Sequence, residues 1–461
     1  MSSDTKGGGF ALAFAFAVLL IPAALGSSTT IFNDGDVSWH LATGQWILDH
    51  CAIPQTDPFS FTWAGKPWVP IEWLAEVVLA VAHRLAGYSG IAALVTLALA
   101  ALHASVFVNA ARYVRPFAAV GIIVAMDVVL IPMMLARPHL LAWPLVAGWT
   151  WLMLRAREQD RAPPLIAALL IVLWANLHGS FVIALAIAAA FGLEALLATS
   201  DKARVIRQWG LFGLACAIAA MVNANGFEGV LHPFKIANLA MLPLIEEWKP
   251  SNPTVTPFFF ILLAGSLLLI ALRRPGLSPV RWVMLAGLLG LALLQVRHQA
   301  VLAIVAAMIV PTGFASRALV VERKPALLAA AAIAALITVR AILPLDLPEN
   351  ETNPWRLIAR VPAELRTEPV LNGYSMGGPL ILSGIRPYID GRGDMYGDDL
   401  VLGYKRIIDG NPAALDAAIT RWNIRWAILP RRYAKLIALL DRSPGWRRIG
   451  SDKAGIIYFR H

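Results

Sequence analysis

The sequence predicts an α-helical polytopic membrane protein with about eleven spans, followed by a small external C-terminal α/β domain. Of its 461 residues, 58% are hydrophobic and 15% are charged, whereas soluble proteins carry about a quarter charged residues. Long apolar runs follow one another, the mean hydropathy is +0.65, and the composition changes after residue 344. These observations exclude a soluble enzyme, a disordered protein and a fibrous protein.

Eleven apolar runs, extended into their flanks where they are short, predict the spanning helices. They cover residues 10–26, 89–110, 118–135, 139–154, 163–178, 180–198, 209–222, 257–272, 282–296, 299–315 and 325–344. The stretch 71–87 contains Glu72, Glu76, His83 and Arg84, which favours an amphipathic helix lying in the membrane interface over a twelfth span.

The positions of lysine and arginine set the expected orientation. With the N-terminus inside and eleven alternating spans, fifteen Lys and Arg residues fall on the inner side, Arg317 among them, and six on the outer side. This is the asymmetry of the positive-inside rule. The sequence therefore predicts a multi-pass protein of the cytoplasmic (inner) membrane, with a cytoplasmic N-terminus and an external C-terminal domain. A cleaved signal peptide is the alternative for the first run.

Two domains follow from this topology. Residues 1–344 form a transmembrane helical domain with a large first external loop, 27–88, and residues 345–461 form a soluble external domain in which short β-like runs alternate with helices. The predicted strands are Glu368–Gly373, Arg386–Asp390 and Arg425–Leu429, with a closing hairpin of Trp446–Ile449 and Gly455–Phe459. The predicted helices are Gly377–Ser383, Leu400–Asp409, Ala413–Trp422 and Arg431–Leu440.

Candidate functional residues are concentrated on the predicted outer side. Asp34 and Asp36 lie just beyond the first apolar run, and Asp57 and Glu72 follow in the same loop. Five tryptophans of this region suit the boundary between membrane and water. They are Trp39, Trp46, Trp63, Trp68 and Trp73. The carboxylates are therefore expected at headgroup level, facing a substrate with a lipid part.

The order of features in residues 33–76 resembles the GT-C superfamily of membrane glycosyltransferases. An acidic residue just past the first span precedes an aromatic and histidine cluster, a helix and a further acidic loop. Oligosaccharyltransferase catalytic subunits, protein O-mannosyltransferases and bacterial lipid A sugar transferases belong to this superfamily. The resemblance implies a GT-C-like fold, a catalytic Asp or Glu in the first external loop, and a sugar donor linked to a polyprenyl phosphate or pyrophosphate.

Sugar transfer from a phosphate carrier requires two kinds of group. A carboxylate takes the acceptor proton, and cationic groups or a divalent metal such as Mg²⁺ or Mn²⁺ hold the leaving phosphate. Asp36 is the expected base, with Asp34 as the alternative; Asp57 and Glu72 are expected substrate contacts, and Asp57 is also a candidate metal ligand. The competing interpretation is that Asp34 and Asp36 cap a helix beginning near Val37, and that Asp57 is a turn residue.

Cations on the same side come from separate hairpin tips. Arg137 and His139 begin the fourth predicted span, and Arg297 and His298 lie between the ninth and tenth. We expect these four to bind the substrate, and the two arginines to hold its phosphate through bidentate contacts. The alternatives are arginines that reach from the membrane boundary to water and histidines that serve as structural hydrogen-bonding residues.

The expected function is that of an inverting membrane glycosyltransferase. It would move a sugar from a polyprenyl-phosphate-linked donor to a cell-envelope acceptor at the outer face of the bilayer. A lipid or glycan transporter or flippase is one alternative, although Asp127 is the one acidic residue deep in a predicted span and no pair of broken helices suggests a transport path. A non-enzymatic envelope-assembly protein is another. Nucleic acid is not an expected partner, because the net charge of +10 comes largely from one-sided membrane anchors.

Overall fold

The structure is a computed structural model that describes residues 3–315 and 323–461, with side chains described for residues 9–315 and 328–461. A helical bundle forms the first part of the chain, and a π-helical segment, Phe16–Leu20, joins its first two helices. The helices are α1 (Ser3–Ala15), α2 (Ile21–Gly26), α3 (Asp36–His50), α4 (Trp73–Ala110), α5 (Pro116–Leu130), α6 (Pro138–Glu158), α7 (Leu169–Leu177), α8 (Phe181–Ala198), α9 (Lys202–Met221), α10 (Gly226–Ile236), α11 (Pro257–Arg273), α12 (Pro279–Leu294), α13 (Gln299–Ile309) and α14 (Arg323–Ile342).

Each of the eleven apolar runs coincides with helical structure. Five helical segments of the described chain are long and apolar enough to cross a membrane, and α9 with α10, bent by 89°, adds a sixth if it counts as one span. Four further apolar helices are shorter. The protein is thus a multi-pass membrane protein by the character of its helices, and the number eleven stays a prediction. Arg317, counted above on the inner side, lies outside the described residues.

Helix α4 is broken near the boundary between the predicted interfacial helix and the following span. Ala86 has φ −149° and Gly87 has φ +57°, a left-handed value that glycine adopts without strain. The part before the break carries Glu76 and precedes an almost wholly apolar second part. Helix α3 packs against α4, which brings the polar start of α4 next to α3.

The interior of the bundle contains a buried polar pair within an apolar core. Asp127 Oδ1 lies 2.9 Å from His103 Nε2, and the other ring nitrogen of His103 donates to the carbonyl of Ala17 at 2.8 Å. Asp127 therefore faces the bundle interior, as a carboxyl group in a span must. These contacts tie α4 and α5 to the π-helical segment near the N-terminus.

The C-terminal domain is built on a four-stranded mixed sheet in the order β1-β2-β4-β3. Strands β1 and β2 are parallel, and the other two pairings are antiparallel. Its elements are α15 (Trp355–Ala359), β1 (Val370–Asn372), α16 (Gly377–Leu382), α17 (Gly393–Ile408), α18 (Pro412–Trp422), β2 (Trp426–Leu429), α19 (Ala434–Arg442), β3 (Trp446–Ser451) and β4 (Ile456–Arg460). Apolar residues cover both faces of the sheet.

The predicted strand Arg386–Asp390 is wrong. This segment is an extended loop, because the side chain of Asn372 takes the place of a neighbouring strand. The Asn372 amide donates to the carbonyl of Ile389 at 2.7 Å, and its oxygen accepts from the N–H of Tyr388 at 2.7 Å. A buried side chain thereby satisfies backbone groups that a ladder would otherwise satisfy.

The C-terminal domain docks on the first loop and on the start of α3. The Thr62 hydroxyl donates to the Tyr388 carbonyl at 2.6 Å, and Arg386 donates to the Ser60 carbonyl at 2.9 Å. Glycines permit the closest approach: a Cβ on Gly378 would lie 2.1 Å from the carbonyl oxygen of Gly35. A side chain at Gly378 would therefore clash with the backbone of Gly35, which can move only at a high energetic cost.

Replacing Gly378 by Ala tests this contact. The added methyl group forces the domain away from α3, and overpacking of this kind destabilises by about 1–3 kcal/mol. We expect a lower melting temperature of the detergent-solubilised full chain and faster proteolysis at the junction. Gly445→Ala is the matched control, since a Cβ there meets nothing within 4 Å. Equal melting and proteolysis of the two variants would contradict the contact.

Candidate active site

Asp34 and Asp36 lie at the N-terminus of α3. The Asp34 Oδ1 atom accepts a hydrogen bond from the backbone N–H of Asp36 at 3.2 Å, so the capping interpretation of Asp34 has a structural basis. The C-terminal domain covers Asp36 from above, because a Cβ on Gly391 would lie 1.9 Å from Asp36 Oδ1. Backbone from residue 391 thus limits the space in which the Asp36 carboxylate can move.

Arg137 joins the two aspartates to a carboxylate from the second loop. It precedes α6, and its guanidinium contacts Asp34, Asp36 Oδ2 at 2.9 Å and Glu247 at 3.3 Å. The three carboxylates come from two segments distant in sequence, and all but Glu247 are largely buried. One guanidinium offers five N–H donors, so it can hold three acids at once.

The pKa values of two acids of this group are shifted in opposite directions. Burial raises the pKa of Asp36 to about 7 against the lowering effect of Arg137, while Asp34 and Glu247 raise it further. Burial would also raise the pKa of Glu247, but Arg137 and Arg297 together lower it. Two carboxylates on one arginine with pKa values pushed apart are the usual arrangement when one group must exchange a proton near neutral pH.

Arg297 acts on the same carboxylate as Arg137, Glu247, but its guanidinium is held differently. Its guanidinium stacks on the Trp248 ring at 4.2 Å, and within residues 9–315 and 328–461 it forms no ion pair with a carboxylate. Its neighbour His298 lies in the same short helix, Val296–His298, which precedes α13, and its Nδ1 atom has no hydrogen-bond partner among the described residues. Of the two predicted phosphate-binding arginines, Arg297 is the one whose donors are free for an anion.

Glu72 lies between two histidines. Its Oε1 atom is 3.3 Å from His178 Nε2 and its Oε2 atom is 3.9 Å from His40 Nε2. Behind His40, the Nδ1 atom lies 3.1 Å from Glu76 Oε1. The Glu72 side chain is 22% exposed, whereas His40 and Glu76 are buried. Four ionisable groups from α3, α4 and the α7–α8 connection therefore form one chain of contacts.

We use the name polar cluster for nine of the charged or ionisable residues described above. They are Asp34, Asp36, His40, Glu72, Glu76, Arg137, His178, Glu247 and Arg297. His139 borders the polar cluster: its ring lies 6.3 Å from that of His178, and its Nε2 atom donates to the Met133 carbonyl at 2.8 Å. That hydrogen bond is the structural role weighed for this histidine above.

Asp57 is a buried structural residue. Its Oδ1 accepts from the Phe59 N–H at 2.9 Å and from Arg392 at 2.7 Å, and its Oδ2 accepts from the Ser60 N–H and hydroxyl. Arg392 also pairs with Asp390 at 2.7 Å. With both oxygens engaged and no exposed surface, Asp57 has none left for the metal ion or the substrate predicted there.

No group of three histidine, cysteine, aspartate or glutamate side chains among the described residues is arranged to hold a metal ion. The carboxylates most suited to Mg²⁺ or Mn²⁺ surround Arg137, whose positive charge occupies their common centre. The donor set therefore does not fit a divalent cation, and no chemical step is assigned to one.

Some site residues were missed by sequence reasoning. His40 lies four residues after Asp36 and hence on the same helix face, a signal that was present in the sequence. Glu76 contributes to the amphipathic pattern of residues 71–87, and that pattern does not indicate a contact with His40. In the C-terminal domain, Asp390, Arg392 and Tyr396 form a second buried cluster, in which the Tyr396 hydroxyl donates to Asp390 at 2.7 Å.

Comparisons with known proteins bear on the fold. No protein-family model matches the sequence, and no curated protein matches it. Among solved structures, the chain is similar to the crystal structure of the Archaeoglobus fulgidus oligosaccharyltransferase in the apo form. The sequences are 11% identical, the TM-score is 0.54, and the match covers 93% of this chain and 70% of that chain. The protein therefore shares the fold of that structure.

Replacing Arg392 by Met tests the buried ion pair. The change leaves Asp57 and Asp390 as buried carboxylates without their cation, and removing one partner of such a pair costs about 3–5 kcal/mol. We expect a clearly lower melting temperature of the full chain. Arg431→Met, at an exposed arginine of the same domain, should melt like the wild type. A stable Arg392→Met protein would show that the pair contributes little.

Proposed function

We propose that this protein is a membrane glycosyltransferase of the GT-C type. It transfers a sugar from a polyprenyl-phosphate-linked donor to a cell-envelope acceptor at the outer face of the inner membrane, with inversion at the anomeric carbon. The observation that supports the proposal best is the meeting of Asp36, Arg137 and Glu247 in one group next to Arg297. The fold it shares with an oligosaccharyltransferase makes a lipid-linked donor the natural substrate class.

The donor phosphate binds at Arg297 in this proposal. Its donors are free of carboxylates in the described chain, and the Trp248 ring holds the guanidinium plane in place. Arg137 is saturated by acids, so its role shifts from the phosphate contact predicted from sequence to the orientation of Asp36 and Glu247. The positive charge of Arg137 also stabilises the negative charge that develops on the leaving phosphate.

Asp36 serves as the general base. The acceptor hydroxyl gives its proton to the Asp36 carboxylate as the acceptor oxygen attacks the anomeric carbon, and the bond from that carbon to the phosphate oxygen breaks. Burial raises the pKa of Asp36 to about 7, near the value at which a base works best at neutral pH. One displacement on the face opposite the phosphate inverts the carbon.

The donor itself is accessible to measurement. Mass spectrometry of lipids from a strain lacking the protein should reveal an accumulated polyprenyl-linked sugar, which then serves as the assay substrate for the purified protein in proteoliposomes. Uptake of a solute or lipid across the vesicle membrane without sugar transfer would instead favour a transporter.

The Asp36→Asn variant removes the base while keeping its shape. Loss of general base catalysis lowers rates by about 10²–10⁴-fold, and we expect a loss of this size in kcat with normal insertion into the membrane. Asp49→Asn, at the exposed end of the same helix, should be fully active. Wild-type transfer by Asp36→Asn would rule out Asp36, and loss in Asp34→Asn alone would assign the base to Asp34.

The pH profile gives an independent measurement. A base acts only when it is deprotonated, and burial raises the pKa of Asp36 to about 7. The transfer rate should therefore rise tenfold per pH unit well below 7 and level off above it. A rate independent of pH between 5 and 7, with substrate binding unchanged, would contradict this role.

A further inference from the structure

The position of Glu72 gives the polar cluster a second carboxylate in a surrounding unlike that of Asp36. Asp36 contacts a guanidinium, whereas Glu72 contacts two imidazoles. Of these acids, Glu72 is the one backed by a chain of further proton-carrying groups, and its partly exposed carboxyl group is the open end of that chain.

Hydrogen bonding fixes the tautomer of His178. Its Nδ1 atom accepts from the backbone N–H of Ser180 at 3.2 Å and lies 2.7 Å from the Ser180 hydroxyl oxygen. A neutral imidazole with an accepting Nδ1 carries its proton on Nε2, so that proton points at Glu72 Oε1. Oε1 is thereby the acceptor oxygen of Glu72, and a proton on Glu72 resides on Oε2.

His40 and Glu76, which lie on the Oε2 side of Glu72, are also arranged to carry protons. Glu76 is buried and its Oε2 has no hydrogen-bond partner among the described residues, a costly environment for a charged carboxylate. A protonated Glu76 donates to His40 Nδ1 across 3.1 Å, which places the His40 proton on Nε2. The 3.9 Å gap from that atom to Glu72 Oε2 suits two atoms that both carry protons.

We propose that Glu72 is the general acid of the transfer, protonating the departing phosphate, and that His40 and Glu76 are positioning residues that return the proton. This inference rests on the proposed function. When the bond from the anomeric carbon breaks, its electron pair stays on the phosphate oxygen, and the Glu72 proton moves to that oxygen. His40 Nε2 then reprotonates Glu72, and His40 Nδ1 takes the Glu76 proton. After product release, a solvent proton that enters at the partly exposed Glu72 reverses these two transfers and restores Glu76, while solvent deprotonates Asp36.

Electrostatics supports this assignment. Burial raises the pKa of Glu72 to about 8, and Arg297, the strongest charge acting on it, lowers it only in part. A neutral acid next to Arg297 leaves that cation free for phosphate, whereas a carboxylate would compete for it. A proton given to the departing phosphate oxygen in the transition state offsets the negative charge that develops on that oxygen as the bond breaks. The groups that face Glu72 are Arg137, Glu247, Arg297, Asp394, His40, His178 and Glu76.

The decisive variant is Glu72→Gln in the full chain, assayed with the donor identified in the mutant strain. We expect kcat to fall by about 10²–10⁴-fold with little change in KM. The wild-type rate should decline above pH 8, because the acid must be protonated, and this alkaline limb should vanish in the variant. Glu246→Gln, at an exposed glutamate, is the matched control and should keep both the wild-type rate and its decline above pH 8.

The leaving group provides the second readout. With a polyprenyl-pyrophosphate donor of the same sugar, the leaving pyrophosphate is a more stable anion and needs less protonation. The ratio of the wild-type rate to the Glu72→Gln rate should therefore shrink at least tenfold with this donor. An unchanged ratio, or an alkaline limb retained in Glu72→Gln, overturns the general acid. If Glu72→Gln does not fold, Glu72→Asp must retain the alkaline limb and part of the rate. Absence of transfer by the wild type would refute the proposed function itself, whereas a fully active Glu72→Gln protein refutes only the acid.

Discussion

The guanidinium of Arg137 is the interaction on which the arrangement of the polar cluster depends. It holds carboxylates from the first loop and the second loop at the start of α6. Without this cation, three acids would share a poorly solvated space, and their mutual repulsion would separate the loops. Arg137 thus holds together two loops that secondary structure alone would leave independent. Because its guanidinium already contacts three carboxylates, Arg297 is the arginine proposed to bind the phosphate.

A second buried arginine performs the same task between the bundle and the C-terminal domain. Arg392 binds Asp57 of the first loop and Asp390 of its own domain, and it stacks on Trp68 at 4.7 Å. Together with the glycine contacts at Gly35 and Gly378, this pair seats the domain on α3. The domain is therefore part of the wall around Asp36 and not an appendage tethered to the membrane helices.

The sequence predicted the architecture well because composition and periodicity determine it. Apolar runs became helices, and the change after residue 344 marked the mixed domain. The expectation that Asp36, Arg137 and Arg297 lie close together came from the eleven-span topology, which places the three residues on the outer side of the membrane. The sequence could not predict which distant residues contact each other. Nothing in the sequence indicates that Asp57 and Arg392 form an ion pair. The hydrogen bonds by which Asn372 replaces a neighbouring strand depend on the direction of its side chain, which the fold determines.

The contact of Gly391 with Asp36 has a consequence for biosynthesis. Residue 36 leaves the ribosome early, and residue 391 follows only after every helix of the bundle has been made. The proposed base is therefore enclosed at the end of translation, when the glycine backbone closes over it. Until then the backbone that covers Asp36 is missing, and the site is complete only after the C-terminal domain has docked.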